Sequence, residues 1–289
     1  MSYVITGATG HLGRLVIENL LAQGVAAADI VAAGRDTTKI KDLADRGVRL
    51  RAIDFDDPAT LTGAFHPADA VLLISASDVG SRARQHGHVI DAARRAGTGL
   101  LAYTSIANAG TTTMRLAEEH QATEAALAAS GLPYVLLRNS WYTENYTAQL
   151  GTIRQHGAVL GCAGQGRVSA ATRADYAAAA AAVLTAGGQH GRVYELGGDQ
   201  AFTLTELAAE ISAQTGQHVS YRDLPAGEYA QVLTDAGIPG PVAAILADSD
   251  RGLARGDLYV DSGDLRQLTG RPTTSMPDAV AAALRSATG

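Results

Sequence analysis

The sequence predicts an α/β protein: a doubly wound parallel sheet followed by a smaller C-terminal α/β lobe. Three observations carry this. Short apolar runs alternate with amphipathic stretches through the first half, a glycine-spaced turn joins the first run to the first amphipathic stretch, and the rhythm changes after Leu137. A parallel strand is covered on both faces, so it reads as a near-continuous apolar run. Strand–helix repetition of this kind closes through right-handed crossovers into one parallel sheet.

Taken in order, the expected strands are Tyr3–Ile5, Ile30–Ala33, Val48–Ile53, Ala70–Ile74, Leu100–Tyr103 and Tyr134–Leu137. The expected helices between them are Leu12–Gln23, Lys39–Asp45, Pro58–Ala64, Gln85–Ala96 and Arg115–Ser130. Gly24, Gly47, Gly97 and Gly131 stand where helices end, the place for a left-handed closing residue. Beyond Leu137 come a polar aromatic stretch (Asn139 to Tyr146), an irregular glycine-rich segment (Gly157 to Gly166), a helix from about Arg173 and a strand at Val193–Leu196. The segment Thr203–Thr215 reads as a helix capped by Thr203, with Glu206 three positions on to complete a capping box. From Pro225 the chain forms helical pieces broken by Pro239, Pro241 and Gly252. Residues 1–138 are therefore expected to form the sheet domain, with return segments near 168–196, and residues 139–289 mainly the smaller lobe.

Composition narrows the function classes. With 46% hydrophobic residues among 289, the chain can bury a sizeable core. A formal charge of −6 with scattered Lys and Arg argues against nucleic-acid binding, which needs clustered cations. The single cysteine, Cys162, allows neither an internal disulfide nor a thiolate zinc cluster, and the eight histidines are dispersed, so no metal is expected. No stretch approaches the roughly 18 apolar residues of a membrane span, and the first residues run into a strand without a signal core. A cytoplasmic protein is expected, and a homo-oligomer is compatible with the sequence. Hydrolysis by a Ser-His-Asp triad has no nucleophile-elbow motif to support it.

The most informative motif is Thr6-Gly7-Ala8-Thr9-Gly10-His11-Leu12-Gly13, between the first strand and first helix. Its spacing is Gly-x-x-Gly-x-x-Gly, a variant of the Rossmann fingerprint. Gly7 permits the sharp turn, Gly10 lets backbone approach a pyrophosphate, and Gly13 lets the helix lie close to the strand. Free N–H groups and the positive end of the helix dipole then face the phosphates. Arg35 ends the second strand, 22 positions past Gly13, near the separation of roughly 20 at which a ribose-reading residue is found. An Arg there pairs with a 2′-phosphate and favours NADP(H). Asp36 beside it would favour NAD(H), and the pair could equally be a solvated turn. Asp54-Phe55, Ser75-Ala76-Ser77 and Thr104-Ser105 follow the third, fourth and fifth strands, on the edge where open α/β sheets bind ligands. As single residues they serve equally well as caps and loop formers.

With the glycine loop and Arg35, the stretch Leu137-Arg138-Asn139-Ser140-Trp141-Tyr142-Thr143-Glu144-Asn145-Tyr146 resembles the NmrA-like atypical short-chain dehydrogenases. Within that family it is most similar to the bacterial NAD(P)H:quinone oxidoreductases. The resemblance runs over nearly the whole chain and takes in Ala171-Thr172-Arg173-Ala174-Asp175-Tyr176 and Leu246-Ala247-Asp248-Ser249-Asp250. It implies NADPH held by Gly7, Ala8, Thr9, Gly10, His11, Leu12 and Gly13, by Arg35, by Ser75, Ala76 and Ser77, and by Asn139, Ser140, Trp141, Tyr142, Thr143 and Glu144, with Arg173 at a further cofactor position. Thr104 lies near the expected nicotinamide ribose. A quinone or other aromatic acceptor would stack on the nicotinamide beneath the smaller lobe, facing Trp141, Tyr142 and Asn145.

The wider dehydrogenase class carries Tyr-x-x-x-Lys on the helix after the fifth strand, where this chain has His120-Gln121-Ala122-Thr123-Glu124. The usual acid for ketone chemistry is missing. A quinone needs less help, because charge arriving with hydride spreads over a conjugated dione. His120 and Tyr142 are weak candidates for a proton donor; His120 also reads as a polar residue shaping the cleft, and Tyr103 as core. Two alternatives stand beside quinone reduction: reduction of another electron-poor aromatic such as a triphenylmethane dye, and a non-catalytic NADP(H)-binding redox sensor.

Overall fold

In the computed structural model, which describes residues 1–286, the strands are β1 (Tyr3–Ile5), β2 (Ile30–Gly34), β3 (Arg49–Ala52), β4 (Ala70–Leu73), β5 (Leu100–Ile106), β6 (Tyr134–Asn139), β7 (Ala158–Gly161), β8 (Val193–Leu196) and β9 (Ser220–Asp223). The helices are α1 (His11–Ala22), α2 (Lys41–Asp45), α3 (Arg82–Ala96), α4 (Arg115–Ala129), α5 (Glu144–Thr147), α6 (Leu150–His156), α7 (Arg173–Thr185), α8 (Leu204–Thr215), α9 (Ala226–Asp235), α10 (Gly240–Arg255), α11 (Asp264–Thr269) and α12 (Met276–Ser286). Seven strands form one sheet in the order β3-β2-β1-β4-β5-β6-β8, every pair parallel. A second, two-stranded parallel sheet pairs β7 with β9. The doubly wound α/β architecture is thus present.

Alternation along the strands explains why they read as unbroken apolar runs. Ile5, Leu72, Ala102 and Val135 pack on one face with α1 and α7, while their neighbours Val4, Val71, Leu101 and Leu136 pack on the other with α3 and Leu127 of α4. Helix α7 carries Ala177, Ala179, Ala180 and Ala181, all buried, and such small side chains let it lie close against α1 and the sheet. Helix α7 and strand β8 return to the sheet after the chain has left it at Asn139. A third cluster, around Leu150, Val159, Leu204, Leu207, Ile211 and Leu253, builds the core shared by α6, β7, α8 and α10. No helix among the described residues is long and apolar enough to cross a membrane.

Several elements differ from expectation, each for a local reason. Pro58–Ala64 is not an α-helix but a 3-10 turn over Pro58–Leu61, opened by the Asp57 side chain accepting the Ala59 N–H. Helix α3 starts three residues before Gln85, because Glu119 reaches across to accept the Gly80 and Arg82 N–H groups, both at 3.1 Å. Lys39–Asp45 splits into a 3-10 turn over Thr37–Ile40 and α2. Strands β5 and β6 run on to Ile106 and Asn139, held in register by their mutual pairing. Strand β7 lies inside the segment expected to be irregular; a four-residue strand among glycines leaves little signal. The capping box of α8 is present, with Thr203 Oγ1 accepting the Glu206 N–H at 3.1 Å and the Glu206 carboxylate accepting the Thr203 N–H at 2.8 Å.

The first turn leaves no room for side chains at its last glycine. Gly7 adopts φ +64°, in the left-handed region. A Cβ on Gly13 would lie 2.4 Å from the Gly7 carbonyl oxygen and 2.8 Å from Ala8 Cα, both backbone atoms. On Gly10 it would meet that oxygen at 3.3 Å. Gly13→Ala is therefore expected to lower stability by about 3 kcal/mol or more, the upper range for overpacking, and Gly10→Ala by less than about 1 kcal/mol. Thermal unfolding of the two variants side by side checks the difference.

Candidate functional site

Strand order reverses direction between β1 and β4, which opens a crevice beyond their C-terminal ends. A cavity of about 280 Å³ occupies it, lined by Gly7, Thr9, Gly10, Gly34, Arg35, Asp54, Phe55 and Ser75 to Asp78. Helix α1 points its N-terminus here, and no side chain caps its first turn, so those amides face the crevice. Arg35 lines this cavity, whereas Asp36 is occupied by its own turn: its carboxylate accepts from the Thr38 N–H at 3.1 Å and the Thr38 hydroxyl at 2.5 Å. Those two bonds, the hydroxyl's first, hold Asp36 below the usual carboxylate range. A ribose-phosphate placed here would therefore meet the cation. Ala8 and Leu12 are buried in the core and contribute backbone at most.

The loop after β4 is fixed from beneath by buried polar groups. The Ser75 N–H donates to Thr104 Oγ1 at 2.9 Å, which puts Thr104 under the loop rather than in the cavity. The Ala76 N–H donates to His86 Nε2 at 3.0 Å, and the Ala76 carbonyl accepts from Arg82 Nε at 2.7 Å. His86 Nε2 is thus an acceptor, which leaves the ring proton on Nδ1, 2.9 Å from Thr123 Oγ1. Burial, then the Arg82 charge, pushes His86 down to about 3 and keeps this tautomer neutral. Neither His86 nor Arg82 was singled out from the sequence. A histidine on an apolar helix face carries no signal until its partner loop is known.

His120 lines neither cavity. It is buried, with Nδ1 2.7 Å from the Tyr103 hydroxyl and Nε2 3.4 Å from Arg82, and burial pushes it down to about 3. One turn further along α4, Glu124 accepts the Ser105 hydroxyl at 2.6 Å and is gripped by Arg138 at 2.6 and 2.9 Å. Arg138 also donates to Glu195 at 2.9 Å, and these bonds hold its guanidinium well above its ordinary value. The two positions that match Tyr-x-x-x-Lys in spacing are therefore both spent on structure. Tyr103, expected in the core, is fully buried.

A second, larger cavity of about 540 Å³ is lined by His11, next in sequence to Gly10 of the first. Trp141, Glu144, Asn145 and Arg173 line it, as do Tyr146 of α5, Tyr229 and Leu233 of α9, Ile238 of the following turn, and Leu246 and Asp250 of α10. Arg173 is positioned by three groups: its N–H donates to Glu144 at 2.9 Å, its guanidinium donates to Asn145 Oδ1 at 3.2 Å and lies 4.7 Å above the Tyr142 ring. Tyr142 itself lines neither cavity; it backs Arg173 and packs edge-on against Tyr176. Asn139, Ser140 and Thr143 are buried in the turn that carries Trp141 and Glu144, with Ser140 donating to the Leu258 carbonyl at 2.7 Å. Tyr229, Leu233 and Asp250 were missed because α9 and α10 read only as broken helical pieces. Among the described residues no group of three or more His, Cys, Asp or Glu could share a metal ion.

A family model described as NAD(P)H-binding matches residues 7–187, from the glycine turn to the end of α7. Quinone oxidoreductase 2 of Escherichia coli is 49% identical over 276 residues, covering 96% of each chain. The chain belongs to the NAD(P)H-binding family. The crystal structure of an Escherichia coli NADPH-dependent quinone oxidoreductase complexed with NADPH is similar at a TM-score of 0.94, with 48% identity over 98% of this chain and 99% of that one. Citrobacter triphenylmethane reductase complexed with NADP(H) is similar at 0.92, with 36% identity over 98% and 100%. An NmrA-like oxidoreductase of Aspergillus flavus is 29% identical over 97% of this chain and 94% of its own. The resemblance to the NmrA-like branch of NAD(P)H-binding proteins therefore holds over almost the full length, the second cavity included.

The second cavity also carries a titration. Burial, opposed by the Cys162 N–H bond and reinforced by Asp223, pushes Asp250 up to about 6. A carboxyl raised on folding stabilises fully below its unfolded value and loses that contribution as pH rises through 6. His86 and His120, lowered on folding, run the opposite way and lose theirs as pH falls. The difference between wild type and Asp250→Asn isolates the carboxyl. The variant should gain on the wild type mainly between about pH 4 and 6, by at most roughly 3 kcal/mol, read from denaturant unfolding at each pH.

Proposed function

We propose that the protein is an NADPH-dependent oxidoreductase that reduces quinones. The observation that carries this reading is a pair of cavities lined by the adjacent residues Gly10 and His11: a crevice suited to a dinucleotide, and a larger chamber with a largely aromatic and aliphatic lining. The crevice fits NADPH on its own chemistry. Uncapped α1 amides and the bare Gly7–Gly10 backbone suit a pyrophosphate, and Arg35 suits a 2′-phosphate while Asp36 is engaged elsewhere. Bound NADPH supplies a hydride equivalent. The Escherichia coli and Citrobacter relatives, named for NADPH-dependent quinone reduction and triphenylmethane reduction, support the same cofactor and an aromatic acceptor.

The chain's own work is placement. Ser75 and Ala76 are held by Thr104, His86 and Arg82, and present a loop fixed at both the N–H and the carbonyl of Ala76. Trp141 and Arg173 line the second cavity, and Glu144 with Asn145 holds Arg173 in its wall. His120 is neutral and enclosed, so proton delivery to the acceptor's oxygens falls to solvent or to a group in the chamber. Dye reduction is a second reading, favoured by the size of the chamber and the Citrobacter relative.

Purified protein with NADPH should reduce a panel of benzoquinones and naphthoquinones above the uncatalysed rate. Arg35→Ala should weaken NADPH binding roughly 10- to 100-fold, the worth of a charged hydrogen bond, and leave NADH almost unchanged. Cofactor-fluorescence titrations check the second point. Equal loss for both cofactors would remove Arg35 as the phosphate reader.

A further inference from the structure

The second cavity contains hydrogen-bonding capacity that the protein does not use. Asp250 lines its wall from α10, and its Oδ2 accepts the Cys162 N–H at 2.9 Å. Its Oδ1 makes no hydrogen bond to the protein among the described residues and, unlike the Tyr146 hydroxyl, is open to the cavity. Tyr146 lines the same cavity from α5, with its ring edge-on to Phe202 at 6.0 Å and a buried hydroxyl that has no partner. The polar groups just behind Asp250 are all matched. Tyr221 donates to Asp223 at 2.7 Å and accepts the Ala163 N–H at 2.9 Å; Asp223 also accepts the Gly164 N–H at 2.9 Å. The Cys162 thiol donates to the Ala247 carbonyl at 3.3 Å. The unmatched groups are therefore confined to the cavity side.

Buried polar groups are nearly always paired, and leaving one unpaired costs on the order of 1–3 kcal/mol. The Tyr146 hydroxyl already carries that cost, and a ligand that covers the open Asp250 oxygen incurs it unless it brings a donor; the two together point to a ligand that completes both. A carboxylate oxygen requires a donor, and a bare quinone has none. An aliphatic or aryl substituent without polar atoms would bury both groups uncompensated. A hydroxyl substituent satisfies Asp250 with its hydrogen, and the oxygens of the same ligand offer an acceptor for the Tyr146 O–H.

We propose that Asp250 and Tyr146 form the specificity end of the acceptor chamber and select aromatic acceptors that carry a hydroxyl group. This deepens the quinone-reductase reading and rests on it. The hydroxyl donates to Asp250 Oδ1, while Tyr146 donates to an oxygen of the ligand. Trp141, the only tryptophan in the chain, lines the same cavity and reports occupancy without turnover.

The test titrates the protein–NADP⁺ complex with 2-ethyl-1,4-benzoquinone and with 2-(2-hydroxyethyl)-1,4-benzoquinone, following Trp141 fluorescence. The wild type should bind the hydroxylated compound roughly tenfold more tightly, the lower end for a hydrogen bond to a charged group. Asp250→Asn keeps an oxygen for the Cys162 N–H but presents an NH₂ where the free oxygen stood; it should erase the preference to within about twofold. Tyr146→Phe should weaken the hydroxylated compound severalfold with unfolding temperature intact. Equal binding of the two quinones by the wild type, or a preference that survives Asp250→Asn, overturns the selectivity alone. Failure of both quinones to bind overturns the acceptor chamber itself and this proposal with it.

Discussion

The site depends on how closely the first helix can lie against the first strand. A side chain at Gly13 would run into the backbone of Gly7 and Ala8, so only a glycine lets α1 descend far enough to aim its N-terminus across the end of β1. From that approach the rest follows. The crevice opens beside β4, where the strand order reverses, and Arg35 and the Ser75–Ser77 loop close round it from the neighbouring strand ends. His11, the first residue of α1 and next to Gly10 of the crevice, lines the second chamber.

Beneath the crevice, the space that dehydrogenases of the wider class devote to an acid–base pair is filled with structural polar groups. His86 and Arg82 hold the two ends of the Ala76 peptide, His120 bridges Arg82 and Tyr103, and Glu124 is locked to Arg138. A neutral imidazole accepting an N–H is a positioning device, and its lowered pKa keeps it one across the physiological range. Such an arrangement gives up general acid catalysis by a side chain and gains a rigid loop. That exchange suits an acceptor whose own conjugation absorbs the arriving charge.

How much of this was legible in the chain varied with the range of the interactions. Strand positions β1 to β6 and the capping box of α8 could be read directly, because burial on both sheet faces and a local side-chain cap leave short-range patterns. The glycine turn was equally plain. The choice between Arg35 and Asp36 was not, since it depends on Thr38 capturing the Asp36 carboxylate. The candidates Tyr142 and Thr104 could be named but not placed: one backs Arg173, the other supports Ser75 from below. Tyr229 and Asp250 come from helices separated from Trp141 by some 90 to 110 residues of sequence, and only the third dimension brings them to one wall.

The most direct test of the central claim is a single turnover. Protein saturated with NADPH deuterated at the transferable position of the nicotinamide is mixed rapidly with a benzoquinone, and cofactor fluorescence and hydroquinone are followed together. Loss of NADPH matched by hydroquinone, and slowed severalfold by the deuterium, is the result expected of direct transfer between the two cavities. NADPH that stays bound and unoxidised in the presence of every quinone tried would contradict it.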